Sequence, residues 1–472
     1  MAQLSRRGFL LGAGSLSLGL VGLGRLVTQS AQAREDLFDP GFGPLVSDPQ
    51  GLFDLPEGFS YVAFSRTGEE MTDGLLVPGA HDGMAAFPGP DGLVLLVRNH
   101  ELDVRGDGPF GPKNARLDRV GRERLYDAGR GELPNLGGTT TLVYDPRKKQ
   151  LVRHFLSLGG TLRNCAGGAT PWGSWLTCEE AVIPAGGTFE RAHGFVFEVP
   201  ATAEPRLHPA LALEDMGRFN HEAAAVDART GAVYMTEDRA DGLLYRFLPA
   251  QPGKLLAGGR LQALRLLERR GASTANHDGA IAIGADLACD WVDLENVLSP
   301  NDDLRKQGNA LGAARFVRGE GMTAADDAIY FTCTSGGKAA RGQVFKYTPL
   351  ASDDLRGNAG REVGRLRLVV EPNHRATLDN CDNMTAAPWG DLILCEDGGG
   401  ANLMRGVTPA GRLYDFAENA LNRSELAGAC FSPDGSILFV NIQHPGITLA
   451  ITGPWERRAA RADAPEGERR YF

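Results

Sequence analysis

Apolar and polar positions in this chain alternate in short runs, and the runs come in pairs separated by a turn. "HDGMAAFPGPDGLVLLVRNHE" from His81 is one such pair, and "NCAGGATPWGSWLTCEE" from Asn164 is another. "NHEAAAVDARTGAVYMTED" from Asn220, "GEGMTAADDAIYFTCT" from Gly319, "CDNMTAAPWGDLILCED" from Cys381 and "LAGACFSPDGSILFVN" from Leu426 complete the set. Each has a small-residue or apolar run, a Pro/Asp/Gly turn and a β-rich run ending in polar residues, which is the pattern of a hairpin. Between them lie further strand-like runs at 139–155, 193–199, 242–249, 342–349 and 411–417. Each unit therefore supplies about four strands, the content of a propeller blade. The pattern predicts an all-β, six-bladed β-propeller with helical and loop insertions. Hairpins recur at uneven intervals of roughly 45 to 100 residues, against about 40 to 50 in regular propeller repeats. The largest insertion is expected at about 271–314, where "WVDLENVLSPNDDLRKQGNALGAA" reads as helix and loop, a lid or rim element.

Composition supports this reading and narrows the function. The 62 glycines and 27 prolines suit a fold rich in tight turns. A net charge of −10, with no long basic stripe, argues against a nucleic-acid binder. Near the start, "SRRGFLLGAGSLSLGLVGLG" pairs Arg6 and Arg7 with a weakly apolar run, and "AQA" follows at 31–33. This looks like a twin-arginine export signal over residues 1–33, ahead of a single propeller domain over 34–472. The glycines lower its hydrophobicity, so a stable membrane anchor is not expected. Partners are then the twin-arginine export machinery and a small-molecule substrate, and the protein is expected to be monomeric and periplasmic or secreted. Twin-arginine export carries folded proteins, often with a cofactor inside, which favours a metal. Seven cysteines are an odd set with no CxxC pair, so at least one thiol is free and a disulfide framework is not expected.

The hairpins carry chemistry at one recurring place. Just before each first strand stand Asp82, Cys165, Glu222, Glu320 and Asp382, with Glu222 needing a one-residue shift to align. Only the last hairpin, near Ala427, lacks a ligand type there. First strands surround a common axis, so equivalent positions converge. Carboxylates so close stay ionised only if cations neutralise them. Oxygen donors suit calcium, and a thiolate among them suits iron or zinc, so the ring implies a mixed site. His221 is a ligand or an orienter of one. The strand-end residues Asn99, His100, Glu101, Glu179, Glu180, Glu237, Asp238, Glu396, Asp397, Asn441 and His444 are expected at the other mouth or the outer rim. Among these, Glu179, Glu180, Glu237 and Asp238 read as turn and capping acids.

"NCAGGATPWGSWLTCEE", "GRFNHEAAAVDARTGAVYMTED", "RGEGM" and "DNMTAAPWGDLILCEDG", together with the leader, resemble the PhoX-type alkaline phosphatases, a family of exported bacterial enzymes. The resemblance covers most of the chain after the leader. It implies a six-bladed propeller whose axial funnel holds iron and calcium around a bridging oxide and cleaves phosphate monoesters and related esters. By motif, Cys165 matches an iron ligand, and Glu222, Glu320 and Asp382 match carboxylate ligands. Asp82 is added from the repeat. Arg163, Arg218 and Arg318 precede hairpins and are candidates to contact phosphate oxygens, with Lys338 behind them. A calcium-dependent lactonase-like propeller or a non-catalytic binding propeller are the alternatives.

Overall fold

The computed structural model describes residues 38–351, 353 and 360–458. The expected leader lies outside them. The fold is all-β and propeller-like, and the α-helix Leu304–Ala310 within it is short. All six hairpins form. Their first strands are His81–Pro88, Asn164–Ala169, His221–Val226, Gly319–Ala325, Cys381–Ala386 and Leu426–Phe431. Each stands beside the next, and the last stands beside the first, so the six close a ring around an axis.

Side-chain chemistry dictates the strands locally. In the first hairpin, Val94–His100 is buried along its whole length, as a β-branched and aliphatic run requires, and Asp91 and Gly92 turn the chain with φ of 55° and 76°. Around the axis the first strands pack backbone against backbone. A Cβ on Gly83 would lie 2.6 Å from Ala166 Cα, and one on Gly428, at φ +64°, would lie 2.3 Å from the Asp82 carbonyl oxygen. This is why the first strands read "GGA", "AAA" and "GMT" rather than as bulky β-formers. Large side chains pack instead between neighbouring units. Tyr234, Trp291, Phe331 and Tyr347 fill one such layer, and Phe42, Phe53, Phe416 and Trp455 fill another.

Among the described residues the hydrogen-bonded sheets number five, not the six that the repeat predicts. Two sheets have four strands, one has three and one has six. The fifth has nine, because Asp286–Asp293 pairs with Gly259–Leu266 on one side and Gly364–Val370 on the other, joining the outer edges of the third and fourth hairpin units. This strand lies in the segment expected to be helix and loop. It forms because Cys289 and Trp291 face the core, while buried Asp290 is matched by the Arg265 guanidinium at 2.5 Å. Ring closure uses the N-terminal side of the chain. Ser60–Phe64 pairs with Ile447–Thr452 and completes the last sheet.

Candidate metal centre and active site

All six first strands carry a register irregularity near their start, which follows the first residue in five of them and the second, Ala427, in the sixth. Their starting residues pair in identical register: His81 with His100, Asn164 with Glu179, His221 with Glu237, Gly319 with Cys333, Cys381 with Glu396, and Leu426 with Ile442. A register shift follows each within the next few residues. Such bulges re-aim side chains, and the residue next after each starting position is Asp82, Cys165, Glu222, Glu320, Asp382 or Ala427. Glu222 thus aligns without the shift expected for it. The ring carbonyls, freed from the ladder by the bulge, are bonded across units. Asn99 Nδ2 donates to the Cys165 carbonyl (2.9 Å), Thr236 Oγ1 to that of Glu320 (2.6 Å), Thr332 Oγ1 to that of Asp382 (2.7 Å) and Asn441 Nδ2 to that of Asp82 (2.6 Å).

The strand-end residues are not at the opposite mouth. An antiparallel hairpin brings the end of its second strand back beside the start of its first, so these residues sit at the ring. Alternation along the strand then splits each acidic doublet. The first member caps backbone: Glu179 accepts from the amides of Leu162, Gly194 and Phe195, Glu237 from Leu243, and Glu396 from Asp379 and Leu403. The second member joins the cluster. Ligand atoms of Asp82, Glu101 and Cys165 lie within 4.8 Å of one another, as do those of Cys165, Glu180 and Glu222. Asp238 pairs with Arg318 at 2.9 Å, and Asp397 is the largest charged neighbour raising Asp382. Glu425, beside the ligand-free sixth position, faces Asp382 and Asp82. Sequence reasoning passed over Glu425, and its signal was the empty place at Ala427.

Nine carboxyls and one thiol therefore share this mouth, against two guanidinium groups. Arg163 Nη2 lies 2.5 Å from both Glu101 and Glu180, and Arg318 bridges Asp238 and Glu320 (2.6 Å). Both arginines occupy the same position, two residues before the ring residue, on corners with φ of +46° and +52°. Burial, then the neighbouring Glu101 carboxylate, pushes Glu180 up to about 8; burial, then Asp397, pushes Asp382 up to about 7. Burial holds Asp82, Glu222, Glu320 and Glu425 well above the carboxylate range, reinforced chiefly by Glu101 at Asp82, Glu180 at Glu222, and Asp382 at Glu320 and Glu425. It also holds the Cys165 thiol well above its usual range, with Asp82 and Glu222 adding to the shift. Among the described residues Glu222 Oε2 is buried without a hydrogen-bond partner. A donor set of this kind, with an orphaned carboxylate oxygen and excess negative charge, fits metal cations.

Three candidates have no contact with the cluster. Arg218 stands four residues before its ring residue rather than two, and its Nε and Nη1 donate to the carbonyls of His193 (2.8 Å) and Ser299 (3.2 Å). His221 stacks on Phe219 with centroids 3.5 Å apart and bonds the Gly217 carbonyl through Nε2 (3.0 Å), and burial pushes it down to about 3. Lys338 is exposed. Behind the ring, the first strands enclose an axial cavity of about 280 Å³ lined by small residues and by Met84, Met322 and Met384.

A family profile described as alkaline phosphatase PhoX matches residues 40–446. The chain belongs to the PhoX family of alkaline phosphatases. As a PhoX-family enzyme it is similar in fold to Pseudomonas fluorescens PhoX, solved in complex with vanadate, a transition-state analogue. That match has 19% identity and a TM-score of 0.65, covering 87% of this chain and 97% of the other. It is also similar, at 12% identity and a TM-score of 0.41, to XC5397 from Xanthomonas campestris, a gluconolactonase, over 87% of this chain and 98% of that one. No curated protein matches the chain. For a PhoX phosphatase the metal dependence of the family agrees with the donor set described above.

Proposed function

We propose that this enzyme hydrolyses phosphate monoesters, and related diesters, at an iron and calcium cluster held in the mouth of a six-bladed propeller. The nine-stranded sheet counts as two blades bridged by Asp286–Asp293. One observation carries the proposal: a thiol converges with nine carboxyls that the two local arginines leave largely uncompensated. Cys165 and the carboxylates Asp82, Glu222, Glu320 and Asp382 would hold the ions, Cys165 toward iron. Glu101, Glu180, Asp238, Asp397 and Glu425 are within the same mouth and would complete the oxygen donors, calcium being a cation that takes six to eight. Bound cations would neutralise these acids and supply Lewis acidity toward the phosphoryl oxygens.

The chain's own groups orient the substrate. Arg163 and Arg318 stand at the mouth with side chains 43% and 37% exposed, and each presents planar N–H donors on a corner fixed by backbone bonds. Arg163 is tied through its amide to Leu102 and Arg318 to Arg239. Donors pre-set in this way strengthen toward the extra charge that develops on the phosphoryl oxygens in the transition state. Arg218 is assigned no part in this step. Export through the twin-arginine route to the periplasm or beyond, and action as a monomer, belong to the same reading. Elemental analysis of the exported protein, beside hydrolysis of p-nitrophenyl phosphate with and without calcium, tests it. Stoichiometric iron with calcium-dependent turnover is expected. Calcium without iron and no phosphate release would sink it and leave a lactonase-like or binding propeller.

A further inference from the structure

A second concavity lies away from the mouth. It is a groove of about 700 Å³ between the second and third hairpin units, and Arg218 lines it. This arginine is 3% exposed, yet it makes no ion pair among the described residues: two of its nitrogens donate to carbonyls, and Nη2 has no hydrogen-bond partner. The Asp302 and Glu179 carboxylates act on it without contact, and a buried guanidinium with no anion in contact and one orphaned donor is costly.

Much of the rest of the groove is apolar. Leu211, Leu256 and Leu298 line it while 53%, 61% and 49% exposed. Three large aliphatic side chains gathered on one solvated surface mark an interaction site rather than scattered exposure. Tyr126 lies in the same lining under the Arg191 guanidinium, 5.2 Å from the ring centroid, so a second cation borders the apolar wall. Glu214 is the one acid in the lining, and it disfavours a doubly charged head group. The volume falls within the range of small-molecule sites.

We propose that this groove binds a small amphipathic carboxylate, its head group received by Arg218 and its aliphatic body by Leu211, Leu256 and Leu298. The site is separate from the phosphatase mouth and independent of how that mouth works. Titration calorimetry on the intact enzyme with octanoate and with octanol tests it. Octanoate should bind once per chain and roughly tenfold or more tighter than octanol, the difference expected of a charged hydrogen bond. Arg218→Met should erase that preference. Leu256→Glu, at an exposed position that leaves folding intact, should abolish octanoate binding while p-nitrophenyl phosphate hydrolysis is unchanged. Equal affinity for the two probes, a preference that survives Arg218→Met, or octanoate binding retained by Leu256→Glu would each overturn the assignment.

Discussion

Substituting His193 by Gln should remove a stabilisation that depends on pH in a defined direction. The imidazole is fully buried, with Nδ1 2.7 Å from Glu179 Oε1 and Nε2 3.2 Å from Asp127 Oδ2. Burial alone would lower its pKa, but the Glu179 and Asp127 carboxylates outweigh burial and raise it from 6.5 to about 9. The folded state therefore holds this proton more tightly than the unfolded chain does. The contribution is complete below about pH 6.5 and is lost as pH rises through about 9. At 1.36 kcal/mol per tenfold change in proton affinity, it amounts to about 3 kcal/mol. Urea unfolding of the metal-loaded protein at pH 6 and pH 9.5 measures it, and other titrating groups cancel between wild type and variant. Wild type should lose about 3 kcal/mol more than His193→Gln over that interval. Equal losses would mean that the ring is neutral in the fold and would refute the argument. Because Glu179 also accepts the Leu162 amide at 2.9 Å, next to Arg163, the variant should also lower kcat.

Removing the cations should expose a second and larger loss of stability in the same direction, toward high pH. Carboxyls whose folded pKa is raised favour the protonated fold, so the stripped protein should be most stable at acid pH. Its melting temperature should fall as pH rises through about 7 for Asp382 and about 8 for Glu180, while the loaded protein changes far less. Cys165→Ser should cut p-nitrophenyl phosphate hydrolysis by more than about 100-fold, the upper end for changes one shell further out, and lower the bound iron measured by elemental analysis. Arg163→Met or Arg318→Met should each reduce kcat/KM by about 100-fold or more with the metal content retained, as loss of one pre-set donor does elsewhere. Gly428→Ala should destabilise by about 3 kcal/mol in urea, because its Cβ would press on the Asp82 carbonyl at a left-handed φ.

Much of this site was legible before the fold because the hairpins repeat with single-residue fidelity. The convergence of Asp82, Cys165, Glu320 and Asp382 was legible from pattern, and that of Glu222 with a one-residue shift, since the same bulge follows the first residue of all five strands. The acids at the strand ends were misplaced by treating the two ends of one strand as the relevant pair. Hairpin return brings Glu101, Glu180, Asp238 and Asp397 back to the ring. Arg218 was grouped with Arg163 and Arg318 by proximity, but its offset of four rather than two sends it into the outer groove. The strand Asp286–Asp293 was hidden because its alternation includes a buried aspartate, legible only once Arg265 is placed beside it. Its partners lie on two different units, so no local pattern marks it.

The pairing of Ser60–Phe64 with Ile447–Thr452 has a further consequence for how the protein comes into being. One half of that seam leaves the ribosome early and waits for nearly the whole polypeptide before its partner appears. The acids that meet at the mouth run from Asp82 to Glu425, so a chain that ends before Glu425 lacks part of the donor set. On the proposed reading a complete metal site therefore has to await nearly all of these residues, and sealing of the seam would follow. A chain cut short before residue 447 would lack both the clasp and the last wall of the mouth, and would be recognisable to quality control as unfinished.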